Sequence, residues 1–448
     1  MQSFAFFNFI NLKPERNEIS MKEYILNFIW KTKYFIFNDQ STTTGELVEV
    51  INPGEANGDS GPDFFNAKVR IDGTIWVGNV EMHIKSSDWF NHNHHIDAAY
   101  DNVILHVVVQ NDKQTINSKG QPVPTLVVKY PDTLEWNLLH LTSSGKWIPC
   151  DDIFNGFDKF SVQMWLDSLL IERLEQKTKQ VFELVEKAKG SWEEAFYISV
   201  ARSFGLKVNS LPFEMLAQTT PLKVLSKHKD NLFQIESILF GQSGLLPSNN
   251  EDSDEYSKKL LKEYLYLQHK FNLIPIQGHL WKFLRIRPTA FPTIRIAQFA
   301  NLVHQSSSLF SKVIEANSVK EIVNLFKVDT SEYWESHYTF SKESKPCNKG
   351  IGTDTLSIIA INSIVPFIFA YGTSRGDTRF KDKTIKLLES IQPEKNSITT
   401  GFNELGVMAK SAFDLQALIQ LKTLYCDPKK CLYCHLGAKY LLKSIENH

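Results

Sequence analysis

From residue 45 to 130, short apolar and β-branched runs are broken by Gly, Asp and Asn turn signals, the pattern of an α/β region. Strands are expected over GELVEVIN (45–52), NAKVRID (66–72), TIWVGNVEMHIK (74–85), DNVILHVVVQ (101–110) and PTLVVKY (124–130). Asp72-Gly73, between two alternating runs, predicts a hairpin. VILHVVV is continuously apolar and predicts a central strand covered on both faces. Upstream, the segment opening at Met21 places Tyr24, Ile25, Phe28 and Ile29 at helical spacing. From about residue 158 the period lengthens. Residues 161–189 read as one long helix, and helical patterns continue to about residue 328. A polar linker is expected at 341–350, and the last hundred residues are again helical. The pattern predicts an α/β N-terminal domain with a mixed sheet, followed by a mostly α-helical body. The expected division is an extension (1–20), an α/β domain (21–150), a helical domain (151–345) and a helical C-terminal region carrying a cysteine cluster (346–448).

Length supports this division, since 448 residues is about three times a typical domain of roughly 150. Forty-nine basic residues against fifty acidic ones leave a net charge of −1, so no global field draws the chain to nucleic acid or an anionic membrane. A nucleic-acid role would require a local basic patch. Residues 1–20 lack the basic start and small-residue cleavage site of a secretory signal. The most apolar run, 356–372, is short and contains Asn362 and Pro366, which predicts a buried core helix and no membrane span. Five cysteines, three of them within nine residues, do not form a disulfide framework and fit a reducing cytoplasm.

The chemistry concentrates at residues 58–89. In VEMHIK, Val80, Met82 and Ile84 share one strand face, and Glu81, His83 and Lys85 share the other. Asp63 lies across one hairpin and can come beside Glu81. Two converging carboxylates make a hard-oxygen site suited to Mg²⁺ or Mn²⁺, which would neutralise charge on a phosphodiester. Glu81 and Lys85 are about 13 Å apart along the strand, and His83 stands about 6–7 Å from each, so the site centres on His83. Glu46, Glu49 or Glu55 could add a further acid. Downstream, His92, His94, His95, Asp97 and Asp101 offer a His-x-His with nearby carboxylates, a pattern able to bind Zn²⁺. His106, inside an apolar strand, is expected to be a hydrogen-bonded core residue. GDSGPDF is similar to the GDSGGP signature of serine proteases but lacks one Gly and any matching upstream His segment. Turn chemistry accounts for its glycines.

Two further constellations stand apart. Arg285, Arg287 and Arg295 lie around two prolines and could contact nucleic-acid phosphates, or cap carbonyls at a helix junction. Cys426, Cys431 and Cys434, spaced C-x4-C-x2-C, suit Zn²⁺ or an iron–sulfur cluster, with Cys150, His435 or Cys347 as the fourth ligand. Cys150 in that role would tie the two ends of the chain together.

Together INPG (51–54), DSGPDFFNA, GNVEMHIKSSDW, AYDNVILHVV, WIPC, LFGQSGLL, LRIRPTAFPTIRIAQ, INSIVPFIFAYG and YCDPKKCLYC resemble an uncharacterised bacterial family, domain-of-unknown-function family 2851, from about Met21 to the chain end. That resemblance implies no activity. Residues 45–110 separately resemble PD-(D/E)XK nucleases. This implies a restriction-endonuclease-like sheet and catalytic roles for Asp63 and Glu81, with His83 where the class carries lysine and Lys85 two positions further on. The expectation is a cytoplasmic, Mg²⁺- or Mn²⁺-dependent nuclease, or nuclease-derived protein, acting on DNA or RNA. The alternative is a non-catalytic nucleic-acid-binding or assembly protein on the same fold.

Overall fold

The computed structural model describes residues 14–33, 40–57, 60–247, 253–306 and 308–446. Residues 1–13 of the expected extension, and Gly58-Asp59 of the GDSGPDF turn, lie outside the described residues. The chain divides into two units. One combines the chain up to Val162 with the chain from Lys422 onward, and the other spans Gln163–Leu421.

The first unit opens with helix α1 (Pro14–Thr32), which begins ahead of Met21, so residues 14–20 are helical rather than a loose extension. Its sheet comprises β1 (Val48–Asn52), β2 (Glu55–Ala56), β3 (Phe64–Ile71), β4 (Thr74–Lys85), β5 (Val103–Gln110) and β6 (Thr125–Val127). The strand order is β1-β3-β4-β5-β6, with β2 beside β3. β1, β3 and β4 pair antiparallel, whereas β4, β5 and β6 pair parallel, giving the expected mixed sheet. The β3–β4 hairpin turns at Asp72 (φ +43°) and Gly73 (φ +78°), as the Asp-Gly signal demands.

Parallel pairing of β4 with β5 forces the chain to cross from one end of the sheet to the other. Helix α2 (Asp88–Asn91) and two single 3₁₀ turns (His94–Ile96, Ala98–Tyr100) make this crossing. One core contains Ile25, Leu26, Ile29 and Trp30 of α1, packed with Val80 and Met82 of β4 and Leu105 and Val107 of β5. Helix α3 (Asp132–Ser143) adds Leu134, Leu138 and Leu141 to it. Trp89, Tyr100, Val103 and Val123 form a smaller cluster. β5 is buried along its centre, as its apolar run predicts.

The second unit is helical and includes most of α4 (Lys159–Lys187) and all of α5 (Trp192–Phe204). Its apolar run Thr353–Arg375 is long enough to cross a membrane, but 72% of its most apolar window is buried inside the protein, as a core helix requires. Residues 341–350, expected to be a linker, are mostly exposed but are anchored to this unit at two points. Lys342–Glu343 form a hairpin strand against His337–Thr339. Lys349 is buried and donates from Nζ to the carbonyl oxygens of Trp334 and Glu335 (both 2.6 Å). Those two bonds satisfy a lysine that composition alone assigns to solvent.

Candidate functional site

Strand alternation sets Glu81 and His83 on one face of β4, and both are buried. Asp63 precedes β3 and is tied to β4 by two bonds, one to Glu81 and one from Met82. The Asp63 backbone N–H donates to Glu81 Oε2 (3.1 Å), and the Met82 backbone N–H donates to Asp63 Oδ2 (3.0 Å). Glu81 Oε1 and Asp63 Oδ1 remain for other partners. The chain then turns sharply after β4. Asp112 fixes this turn, accepting from Ser86 Oγ (3.0 Å) and from the backbone N–H (2.8 Å) and Oγ (2.8 Å) of Ser87. Trp89 is fully buried beneath the crossing and donates Nε1–H to the Ile116 carbonyl (2.9 Å). Asn93 adopts a left-handed conformation (φ +63°), open to Asn because its short polar side chain tolerates it. This kink brings His92 and His94, on either side of it, toward β4.

Three imidazoles consequently converge. His83, His92 and His94 each offer a ring nitrogen, and the three lie within 4.8 Å of one another. His83 Nε2 stands 3.0 Å from His92 Nδ1 and 3.6 Å from Glu81 Oε1. His94 Nε2 is 3.2 Å from Glu81 Oε1. The buried His94 Nε2 and Asn27 Oδ1 carry no hydrogen bond among the described residues. A cation among these groups would supply the partner that buried polar atoms normally have. His106 is fully buried beside β4, with Nε2 2.9 Å from His83 Nδ1. In the tautomer where His83 Nδ1–H donates to His106, the His83 Nε2 lone pair faces His92 Nδ1, and a metal between them would take it once the His92 Nδ1 carries no proton. His106 is therefore the hydrogen-bonded core residue expected, and its partner is the central imidazole of the site.

A cavity of about 270 Å³ opens on this cluster and on Asp63, with Glu23 and Asn27 of α1 and Tyr100 completing its wall. Burial pushes the Asp63 carboxyl up to about 7, and the Glu81 charge adds to the effect. Glu23 is raised as well, by burial first. Burial followed by the neighbouring imidazoles lowers His83 to about 2, and burial with His94 lowers His106 to about 3. Both rings are neutral near neutral pH, the form that ligates metal.

Asp63, Glu81 and His83 of the expected set are brought together, and Lys85 is not. Lys85 is exposed at the strand end, where its backbone N–H donates to Asp88. None of the three further acids considered lines the cavity. Glu46 accepts from Thr42 and Thr44, Glu49 pairs with Arg70, and Glu55 is exposed. Glu23 occupies that role in the wall. It lies four residues before Asn27, flanking the apolar stripe of α1, and that spacing is the only sequence signal for it. Of the downstream group, Asp97 caps the Ala99 N–H and Asp101 holds Ser118. His95 packs against Phe90, outside the imidazole cluster.

The arginines belong to the other unit. Arg285 and Arg287 are exposed, but Arg295 is buried and donates to Gln298 Oε1 and Thr355 Oγ1 (both 2.9 Å), so it does not face a polyanion. Cys150, Cys426, Cys431 and Cys434 all belong to the first unit, whereas Cys347 is exposed in the second.

Fold and site define an α/β unit with an imidazole–carboxylate pocket on its mixed sheet, in one chain with a helical unit. The chain belongs to the family described as "Protein of unknown function (DUF2851)", whose model matches residues 23–397. No curated protein and no solved structure matches it. The matched stretch holds every pocket residue and Cys150, and it ends before the three C-terminal cysteines.

Proposed function

We propose that the first unit is a metal-dependent phosphodiester hydrolase acting on nucleic acid, with its ion held by His83, His92, His94 and Glu81. The observation carrying this reading is the convergence of three imidazole nitrogens within 4.8 Å, beside a carboxylate oxygen 3.2 Å from one of them. Imidazoles favour Mn²⁺ or Zn²⁺ over Mg²⁺, so the donor set narrows the expected choice of ion. The order helix, three antiparallel-paired strands, short helix, parallel strand supports kinship with PD-(D/E)XK nucleases. His83 stands where that class has its lysine.

A bound ion would supply Lewis-acid polarisation of a phosphoryl oxygen. The residues supply the rest. His106 orients His83, and the crossing segment holds His92 and His94 over β4. Asp63, with Oδ2 taken by the Met82 N–H, has Oδ1 left to accept a proton from attacking water. Glu23 and Asn27 bound the cavity on the α1 side.

The test is cleavage of DNA, RNA and an activated phosphodiester ester in Mn²⁺, Zn²⁺ or Mg²⁺. Activity with Mn²⁺ or Zn²⁺ should fall at least ~100-fold in Glu81→Gln, His94→Ala and Asp63→Asn. Activity that survives all three substitutions overturns the site. Ion-dependent DNA or RNA binding without cleavage on any substrate overturns the enzyme reading in favour of a non-catalytic binding protein.

A further inference from the structure

The helical unit has a cavity of its own, of about 700 Å³, whose lining residues all fall within Gln163–Leu421. That is the size of a small-molecule site. Lys177, Val181 and Leu184 recur at helical spacing along α4 and form one wall. Ile198 and Ser199 of α5 form a second, and Pro366 and Phe367 of helix Val365–Arg375 a third. Val181, Ile198 and Phe367 are buried, so the cavity offers an apolar surface beside the lysine.

The third wall is interrupted by a π-helical turn, Ala360–Ile364, a distortion that often accompanies a functional site. The Val365 N–H reaches back five residues to the Ala360 carbonyl. The next position in that pattern is Pro366, which has no N–H to offer the Ile361 carbonyl. Lys177 supplies the missing donor. Its Nζ donates to the Ile361 carbonyl (3.2 Å) and to Asn362 Oδ1 (3.3 Å). Ser363 ties the same turn to α5, donating from Oγ to the Ser199 carbonyl (2.8 Å) and lying 2.8 Å from Ser203 Oγ. The Lys177 ammonium is thereby fixed at the cavity wall.

Both of its acceptors are neutral, and an ammonium carries three N–H groups. Arg173, one turn earlier on α4, is likewise held by neutral oxygens, Gln416 Oε1 (2.8 Å) and Gln420 Oε1 (3.3 Å). Two cations four residues apart on a helix repel each other. Burial lowers Lys177 to about 7, and the Arg173 charge adds to the effect. An anion in the cavity would offset both. We propose that this cavity binds a small molecule with a phosphate or carboxylate group on an apolar body, its anionic oxygen held by Lys177 and its body against Val181, Ile198 and Phe367. Arg202 in the wall is paired with Glu214, and the exposed Lys187 and Lys207 are matched in number by the exposed Glu183 and Glu394. The preference for an anion therefore rests on Lys177. The site is independent of the histidine cluster, which belongs to the other unit.

The test is calorimetric titration of the full-length protein with naphthyl phosphate, naphthoate and neutral naphthol, with chelator present so that no divalent ion occupies the histidine site. At least one of the two anions should bind once per chain and at least ~10-fold more tightly than naphthol, the better of them identifying the group. Lys177→Met should lose that preference. Ile358→Trp, which fills the cavity from helix Thr353–Ile359, should lose binding with Lys177 intact. Circular dichroism of each variant separates loss of the site from unfolding, and the wild-type preference decides even if a variant does not fold. No binding of either anion, equal binding of all three probes, or an anion affinity unchanged in folded Lys177→Met overturns the proposal.

Discussion

Each residue of the histidine cluster is set by a contact that a single substitution can remove. His106 touches the proposed ion only through His83, by the 2.9 Å contact between Nε2 and Nδ1. Removing such an orienting partner typically weakens metal binding by roughly 10–100-fold without abolishing it. His106→Ala should therefore bind Mn²⁺ that much more weakly, whereas His83→Ala should not bind it at the site, as measured by titration with paramagnetic detection. Equal losses in the two variants would show that His106 does more than orient. Part of this cluster was legible in the sequence, because strand period alone puts Glu81 and His83 on one face. The joining of His83 to His92 and His94 was not, because it depends on the left-handed turn at Asn93. Lys85 shares the face of His83 by period, but it falls at the exposed end of β4.

At the scale of elements, the crossing from β4 to β5 carries the chemistry. Its geometry rests on Asn93 at φ +63°, where a β-branched residue is strained by roughly 1–2 kcal/mol. Asn93→Val should lower stability by about that amount and weaken metal binding by displacing His92 and His94. Asn93→Gly should retain binding, and calorimetric titration of both variants checks the pair. The strands, the Asp72-Gly73 hairpin and the buried β5 were readable because period and turn chemistry are local. The α1 contribution was readable only as an apolar stripe. Trp30 packs in the core and donates Nε1–H to the Pro53 carbonyl (2.9 Å), but Glu23 and Asn27 gain meaning only once α1 lies against β4. No local pattern reports that packing.

Across the whole molecule, the division into units also rests on contacts that no local pattern carries. A unit closed by residues before 163 and after 421 depends on contacts far apart in sequence, and the polar stretch at 341–350 is anchored to a unit by Lys349. The helical unit also has a pH signature. Glu236 is buried, accepts from Tyr256 Oη and from Ser331 Oγ (2.8 Å), and is raised to about 7 by burial despite those bonds. Below its ordinary value near 4.5 the carboxyl is protonated in folded and unfolded chains alike. Between about 4.5 and about 7 the unfolded chain releases a proton that the folded one keeps, so this group's contribution to stability falls as pH rises through that window. Glu236→Gln removes the dependence. Its melting temperature should gain on wild type between pH 5 and pH 8, as read by scanning calorimetry. A constant difference across that range would contradict the assignment.

In the proposed site His83, His92, His94 and Glu81 hold one divalent ion. Mn²⁺ counts it most directly, because its preference for nitrogen and oxygen donors keeps it off the cysteines. Paramagnetic resonance of free Mn²⁺ during titration should give one bound ion per wild-type chain. His83→Ala and His94→Ala, with circular dichroism unchanged, should show none at the same concentration. Equal occupancy in the wild type and both variants would contradict the account.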